Sequence, residues 1–198
     1  MYAYIEGTID EITDGHLILD HDGIGYELLM SQTDLSRLSG RRERLRIYTY
    51  YQSSENGVAL YGFLSKESRE LFLMLITVNG VGPKAAVAIL GTLSAEELRF
   101  AIIGEDVKAI SAAPGIGPKT AKRIILDLKD RIDFVEAVDS HLDTGVHAAE
   151  PSAKSDAMAA LAALGFSGSE VVRVFSDMEI AEDAAAEELI RLALTRLQ

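Results

Sequence analysis

The chain has 198 residues, 48% of them hydrophobic, no cysteine and a formal net charge of −12. That apolar content can bury one to three compact cores, and the missing cysteine excludes disulfides, thiolate nucleophiles and cysteine-zinc sites together. No run approaches the roughly 20 apolar residues of a membrane span, and Met1-Tyr2-Ala3-Tyr4-Ile5-Glu6 lacks the basic start and apolar core of a secretion signal, so a cytoplasmic protein without membrane contact is expected.

Taken in chain order, the first 63 residues alternate β-rich runs with turn signals. The expected strands are Tyr2–Ile12, His16–Asp20, Ile24–Met30, Leu45–Gln52 and Val58–Phe63. They are separated by Asp14-Gly15, Asp22-Gly23, a helical turn near Asp34–Leu38, and Glu55-Asn56-Gly57. Five such strands predict a small barrel, of which the OB-fold is the commonest of that size. Ile24, Tyr26, Leu28 and Met30 share one face of their strand, as a half-buried strand requires.

From Leu64 the apolar spacing turns helical. Ser65 can cap a helix reaching Thr77, Ser94-Ala95-Glu96-Glu97 reads as a capping box, and Gly104 is placed to end the helix it opens. A further helix opens at Pro118 and runs to about Arg131. Residues 135–152 have little apolar periodicity, no basic residue and a proline near the end, which describes an acidic linker. Beyond it Ser155–Leu164, a segment opened by Ser167-Gly168-Ser169, and Ala184–Leu197 form a three-helix unit. The fold class is therefore α+β and multidomain: a barrel at 1–63, an all-α segment at 64–134, the linker at 135–152 and the small helical domain at 153–198.

The acidic total argues against a nucleic-acid partner until its distribution is read. Residues 1–63 hold 5 basic and 10 acidic groups, 135–152 hold 0 and 4, 153–198 hold 4 and 8, but 64–134 hold 10 and 9. The cations of that segment also cluster. Lys84 follows one glycine-rich loop, and Lys119, Lys122, Arg123, Lys129 and Arg131 follow another.

Those loops are an internal repeat. At an offset of 35 residues, Val78-Asn79-Gly80-Val81-Gly82-Pro83-Lys84-Ala85-Ala86 aligns with Ala113-Pro114-Gly115-Ile116-Gly117-Pro118-Lys119-Thr120-Ala121. Both glycines, the proline, the lysine and the closing alanine recur. A helix precedes each copy, Glu67–Thr77 or Glu105–Ala112, and a helix follows each from its proline. Glycines at both ends of a three-residue hairpin permit positive φ and leave no Cβ to hold a ligand oxygen away from backbone N–H groups. Proline in the first helical turn lacks an N–H that would be unpaired anyway, while the next free N–H groups sit at the positive end of the helix dipole. Val81 and Ile116 are expected to plug the space between their helices, and Lys84 and Lys119 to place a charge beside a bound phosphate. Contacts of this kind grip sugar-phosphate without reading bases. The expected DNA-binding set is Gly80, Val81, Gly82, Lys84, Gly115, Ile116, Gly117, Lys119, Lys122 and Arg123.

Other readings of the same residues fail on context. Gly80-Val81-Gly82-Pro83-Lys84-Ala85 formally fits a dinucleotide fingerprint, but Leu71–Thr77 before it is helical in pattern where that fold needs a strand. A Walker A loop would need glycine where Pro118 stands. His16, His21, His141 and His147 form no HExxH pair, so no metal is expected. No catalytic constellation and no cofactor motif stands out, which favours a binding protein over an enzyme. The alternative is a helix-hairpin-helix DNA glycosylase or nuclease, for which Lys119 and Asp127 are available, but which accounts for neither the barrel nor the linker.

Tandem helix-hairpin-helix loops after a five-stranded barrel, then an acidic linker and a small three-helix domain, closely resemble the RuvA family of Holliday-junction-binding proteins. Essentially the whole chain is covered. Beyond the loops, the specific stretches are Gly23-Ile24-Gly25-Tyr26-Glu27, Leu60-Tyr61-Gly62-Phe63 and Ala160-Leu161-Ala162-Ala163-Leu164-Gly165-Phe166. The resemblance implies an OB-fold barrel, a tandem helix-hairpin-helix domain and a three-helix, UBA-like terminal domain. It also implies a homotetramer, or two stacked as an octamer, that holds a four-way junction open for branch migration in recombination and repair. The implied partners are the hexameric ATPase RuvB, which carries the ATPase activity, and the junction resolvase RuvC. The family's acidic pin falls on Glu55 and Asn56, with asparagine where the pattern has a second acid. The RuvB-binding positions fall on Leu161, Leu164 and Phe166.

Overall fold

A computed structural model describes residues 2–41, 43–54, 57–132, 153–164, 166, 170–171, 174–175, 178 and 185–197. The expected linker at 135–152 and the expected pin residues Glu55 and Asn56 lie outside them. Two compact units make up the chain, one formed by residues 1–95 with 111–117, the other by 96–110 with 118–198.

In the first unit five strands, β1 (Tyr4–Thr13), β2 (His16–His21), β3 (Ile24–Leu29), β4 (Leu45–Ser54) and β5 (Gly57–Phe63), close a barrel in the order β1-β2-β3-β5-β4. All pairs are antiparallel except β3 with β5. β1 can serve both β2 and β4 because its register shifts between Ile9 and Glu11, a bulge that bends the strand around the barrel. Ile5, Leu17, Leu19, Leu28, Met30 and Ile47 fill the interior. Helix α1 (Gln32–Leu38) adds Leu35 and Leu38 to that core. The expected single buried face of β3 grades along the strand instead. Leu28 and Met30 are buried, but Ile24 is 58% exposed, because it sits at the tight Asp22-Gly23 turn beyond the barrel's filled interior.

Ser31 caps α1, its Oγ accepting the Asp34 N–H at 3.1 Å. Asp34 itself is largely buried, and desolvation pushes its carboxyl above the usual range, with Ser31 and Arg37 pulling partly the other way. A carboxyl raised in the folded state contributes stability below its unfolded pKa and loses it as pH rises through the folded value. Asp34→Asn is therefore expected to raise the thermal midpoint more at neutral pH than in acid. Calorimetry at the two pH values checks this, and an equal difference at both would count against it.

Helix α2 (Lys66–Leu75) is fastened to the barrel through aromatic packing. The Phe72 ring lies 5.1 Å from Tyr50, 5.5 Å from Tyr61 and 4.8 Å from Phe63, centroid to centroid. Arg69 Nε also donates to the Thr49 carbonyl at 2.6 Å. Helix α3 (Pro83–Thr92) is tied by Thr33 Oγ1, which donates to the Gly91 carbonyl at 2.6 Å. The first hairpin is thus held rigidly against the barrel.

The second unit holds α4 (Ala95–Ile103) apart from its first residue, α5 (Val107–Ser111) apart from its last, and α6 (Pro118–Leu128), which a short 3-10 turn extends through Arg131. Gly104 does follow α4, but the left-handed residue there is Glu105, at φ 57°. Ala121, Ile124, Ile125 and Leu128 form the buried stripe of α6 at helical spacing. In the C-terminal segment α7 (Ala153–Ala163) and α8 (Ala186–Leu197) pack on one another, with Ala157, Met158, Leu161, Leu189 and Ala193 buried. The segment expected to open at Ser167-Gly168-Ser169 is described only in part, with Val171, Val174 and Phe175 buried. Among the described residues no helix is long and apolar enough to cross a membrane.

Candidate nucleic-acid interface

Each repeat folds as the same turn. The Val81 N–H donates to the Val78 carbonyl at 3.0 Å, with Gly80 at φ 91°, and the Ile116 N–H donates to the Ala113 carbonyl at 3.1 Å, with Gly115 at φ 80°. A three-residue-separated bond with positive φ only at the third position is a type II turn. Pro114 takes the second position in one copy, the place where its locked φ is favoured, and Asn79 takes it in the other.

The two glycines of each loop therefore have different jobs, a correction to the reading in which both permit positive φ. Gly80 and Gly115 satisfy the turn. Gly82 has φ −87° and ψ 172°, open to any residue, and Gly117 is not left-handed either. An added Cβ at Gly82 or Gly117 would meet no atom of the described residues within 4 Å. Neither backbone conformation nor internal packing requires glycine there. What the missing side chain leaves is clear space above the first amides of the following helix.

Those amides have no acceptor among the described residues. Where the chain begins α1 and α2, a serine caps the exposed N–H groups, Ser31 onto Asp34 and Ser65 onto Ser68 at 3.0 Å. At α3 the capping position is Gly82, which has no side chain to accept a bond. Pro83 has no N–H, and the Lys84 and Ala85 amides precede the first intrahelical partner, the Ala86 N–H bonded to the Gly82 carbonyl at 3.0 Å. Gly117, Pro118 and Lys119 repeat the same three residues at the start of α6, with Thr120 in place of Ala85. A row of open donors at the positive end of a helix is chemically an anion site.

Val81 and Ile116, at 5% and 6% exposure, are the buried plugs the repeat implied, while Gly80, Gly82, Gly115 and Gly117 are exposed. Exposed Lys84, Lys119 and Lys122 have no carboxylate partner among the described residues. The barrel segment's cations contrast with them: Arg37 pairs with Asp34, Arg41 with Glu43, Arg44 with Asp22, and Arg46 with Glu6 at 2.6 Å. Arg123 is also exposed on α6, next to Lys122. Lys129, which the charge count places in the same cluster, is instead engaged by Glu105. Both loops belong to the same compact unit.

In the C-terminal segment the three expected partner-contact positions separate. Leu161 is fully buried in the packing of its own segment, Phe166 is half-buried and Leu164 is 63% exposed. Leu161 lies within α7, whereas Leu164 lies one residue past its end at Ala163. Leu192 on α8, 45% exposed, is an apolar surface residue that the sequence reading missed. Among the described residues no group of three His, Asp or Glu side chains could hold a metal ion.

Comparison with known proteins agrees with this architecture. Residues 1–62 match the family described as RuvA N terminal domain, 72–130 the SAM-like helix-hairpin-helix tandem, and 152–198 the RuvA C-terminal domain. The chain is 36% identical over 204 residues to a Holliday junction branch migration complex subunit RuvA from Lachnospira eligens, covering 100% of this chain and 99% of that one. It is 38% identical over 198 residues to the protein of that name from Stutzerimonas stutzeri, covering 98% of each. For the one from Chlamydia caviae the figure is 37% over 199 residues, covering 99% and 96%. With barrel, tandem hairpins and terminal segment matched in the same order, and similarity running the length of the chain, the protein belongs to the RuvA family.

Proposed function

We propose that this protein binds four-way DNA junctions by structure and without regard to sequence, as a non-catalytic subunit of a cytoplasmic branch-migration complex. The observation that carries the reading is the duplicated pocket: uncapped amides at the start of α3 and α6, each beneath a glycine that the fold does not itself require, with Lys84 or Lys119 unpaired beside it. Two such pockets in each chain match two phosphates of a single duplex arm, and four subunits supply all four arms. Gly80, Gly82, Lys84, Gly115, Gly117, Lys119, Lys122 and Arg123 form the contact surface, and Val81 and Ile116, buried beneath it, hold the two loops in shape. The barrel and the hairpins act as domains at 1–63 and 64–134, and 135–152 tethers the domain at 153–198.

The C-terminal domain recruits and regulates the ATPase RuvB through Leu164 and Phe166, with Leu161 shaping that surface from within. Glu55, next to Asn56, acts as an acidic pin that repels phosphates, and the resolvase RuvC acts on the same bound junction.

A mobility-shift titration of a four-way junction against linear duplex, with excess competitor, tests the reading. Strong junction preference is expected. If all eight loops of a tetramer engage, the log-log salt slope is about −7, from roughly 0.9 per phosphate. A chain ending before residue 153, run in parallel, should keep junction binding and lose stimulation of RuvB. Equal affinity for junction and duplex, or a slope nearer −2, would contradict the proposal.

A further inference from the structure

The chain contains two asparagines, and both precede glycine: Asn56-Gly57 and Asn79-Gly80. The second pair forms the two central residues of the first hairpin's turn. Asn79 and Gly80 are both exposed, and the Gly80 N–H, unlike that of Val81, donates to no acceptor among the described residues. Gly80 has no Cβ to hinder approach to its nitrogen. The geometry points to Asn79 as a site of spontaneous deamidation that switches off the first DNA-binding hairpin, an inference that rests on the phosphate-binding reading of that loop.

In the first step the Gly80 nitrogen attacks Asn79 Cγ. A new N–Cγ bond forms, the Cγ–Nδ2 bond breaks, and the proton lost from the Gly80 nitrogen leaves with Nδ2 as ammonia. Water then opens the cyclic imide at either carbonyl, leaving aspartate or isoaspartate at position 79. No oxidant or cofactor is involved. The product carries a negative charge three, five and six residues before the amides of Gly82, Lys84 and Ala85, where the loop would hold a phosphate. The isoaspartate form also lengthens the main chain by one methylene between Val78 and Val81, the residues whose bond at 3.0 Å closes the turn.

The second hairpin cannot undergo this change. Its equivalent residue is Pro114, which has no carboxamide, and the shared turn type makes proline an acceptable replacement at position 79 as well. The two pockets, alike in shape, therefore differ in chemical lifetime.

The test ages the full-length protein in mildly alkaline buffer, maps position 79 by peptide mass and isoaspartate labelling, and titrates fresh and aged samples against a four-way junction. Asn79→Pro is aged and titrated alongside, each protein compared only with its own fresh sample. Position 79 is expected to convert, with junction affinity falling roughly tenfold or more in the converted fraction as a like charge enters the phosphate pocket. Aged Asn79→Pro should bind as its fresh sample does. Asparagine persisting at 79, while a peptide of residues 76–84 converts under the same conditions, overturns the inference and leaves the loop's proposed function standing. An equal loss in aged Asn79→Pro also overturns it, by placing the damage elsewhere. Conversion without loss of affinity defeats both the inference and the phosphate role of the first loop.

Discussion

A chain carrying Gly82→Val together with Gly117→Val is expected to fold as the parent does and to bind four-way junctions roughly a hundredfold to ten-thousandfold more weakly. The folding half follows from conformation. Gly82 sits at φ −87° and ψ 172°, a region β-branched residues favour, and a Cβ at either position meets nothing within 4 Å. The binding half follows from where the new methyl groups go. They occupy the clear space above the Lys84, Ala85, Lys119 and Thr120 amides, and so hold a phosphate oxygen beyond hydrogen-bond distance at both pockets. Charge-assisted bonds to backbone N–H groups contribute about 1.5 to 3 kcal/mol per site, and two sites are lost on each subunit. Circular dichroism and thermal melting establish the fold, and a junction titration reads the affinity. A variant that melts like the parent and binds like the parent removes the amide pockets from the account.

Phe72→Ala is expected to behave in the opposite way, costing about 3 to 5 kcal/mol of stability through the cavity it leaves. The Phe72 ring is fully buried and packs against Tyr50, Tyr61 and Phe63, so it joins the outer face of β4 and β5 to the helix that leads into the first hairpin. Removing it leaves three rings without their common partner. Ser65 capping and the Arg69 bond to Thr49 remain, but neither offsets the loss of that apolar contact. Chemical denaturation should show the midpoint falling steeply, and junction binding should weaken only under conditions where the first unit has begun to unfold. A loss of less than about 1 kcal/mol would mean that the barrel and the hairpin are held together by something other than this aromatic cluster.

The two variants separate what the sequence makes legible from what it does not. The duplicated loop is visible in the amino acids because its chemistry is local: glycine, proline and lysine at fixed offsets act on the backbone within a few residues. The barrel's strands are legible for a related reason, since alternation and turn residues are short-range signals, and their ends differ by only one or two residues from those observed. The division of labour between the glycines is not legible. Gly80 and Gly82 are the same letter, and only backbone angles and surrounding space show that one makes the turn and the other leaves clear space beside the next helix. Lys122 and Lys129 are likewise the same letter seven residues apart, yet Glu105 pairs with one and not the other, because of where α4 ends.

By itself, then, the order of residues determined the element types and the twofold repeat, which arise from interactions within a few positions of each residue. Tertiary structure decided which cations are left unpaired, which apolar residues of the terminal segment stay at the surface, and how the first hairpin is braced. Each of those depends on contacts between residues far apart in the chain, such as Phe72 with Tyr50 or Thr33 with Gly91, whose partners are chosen by the closure of the barrel and not by the neighbouring sequence.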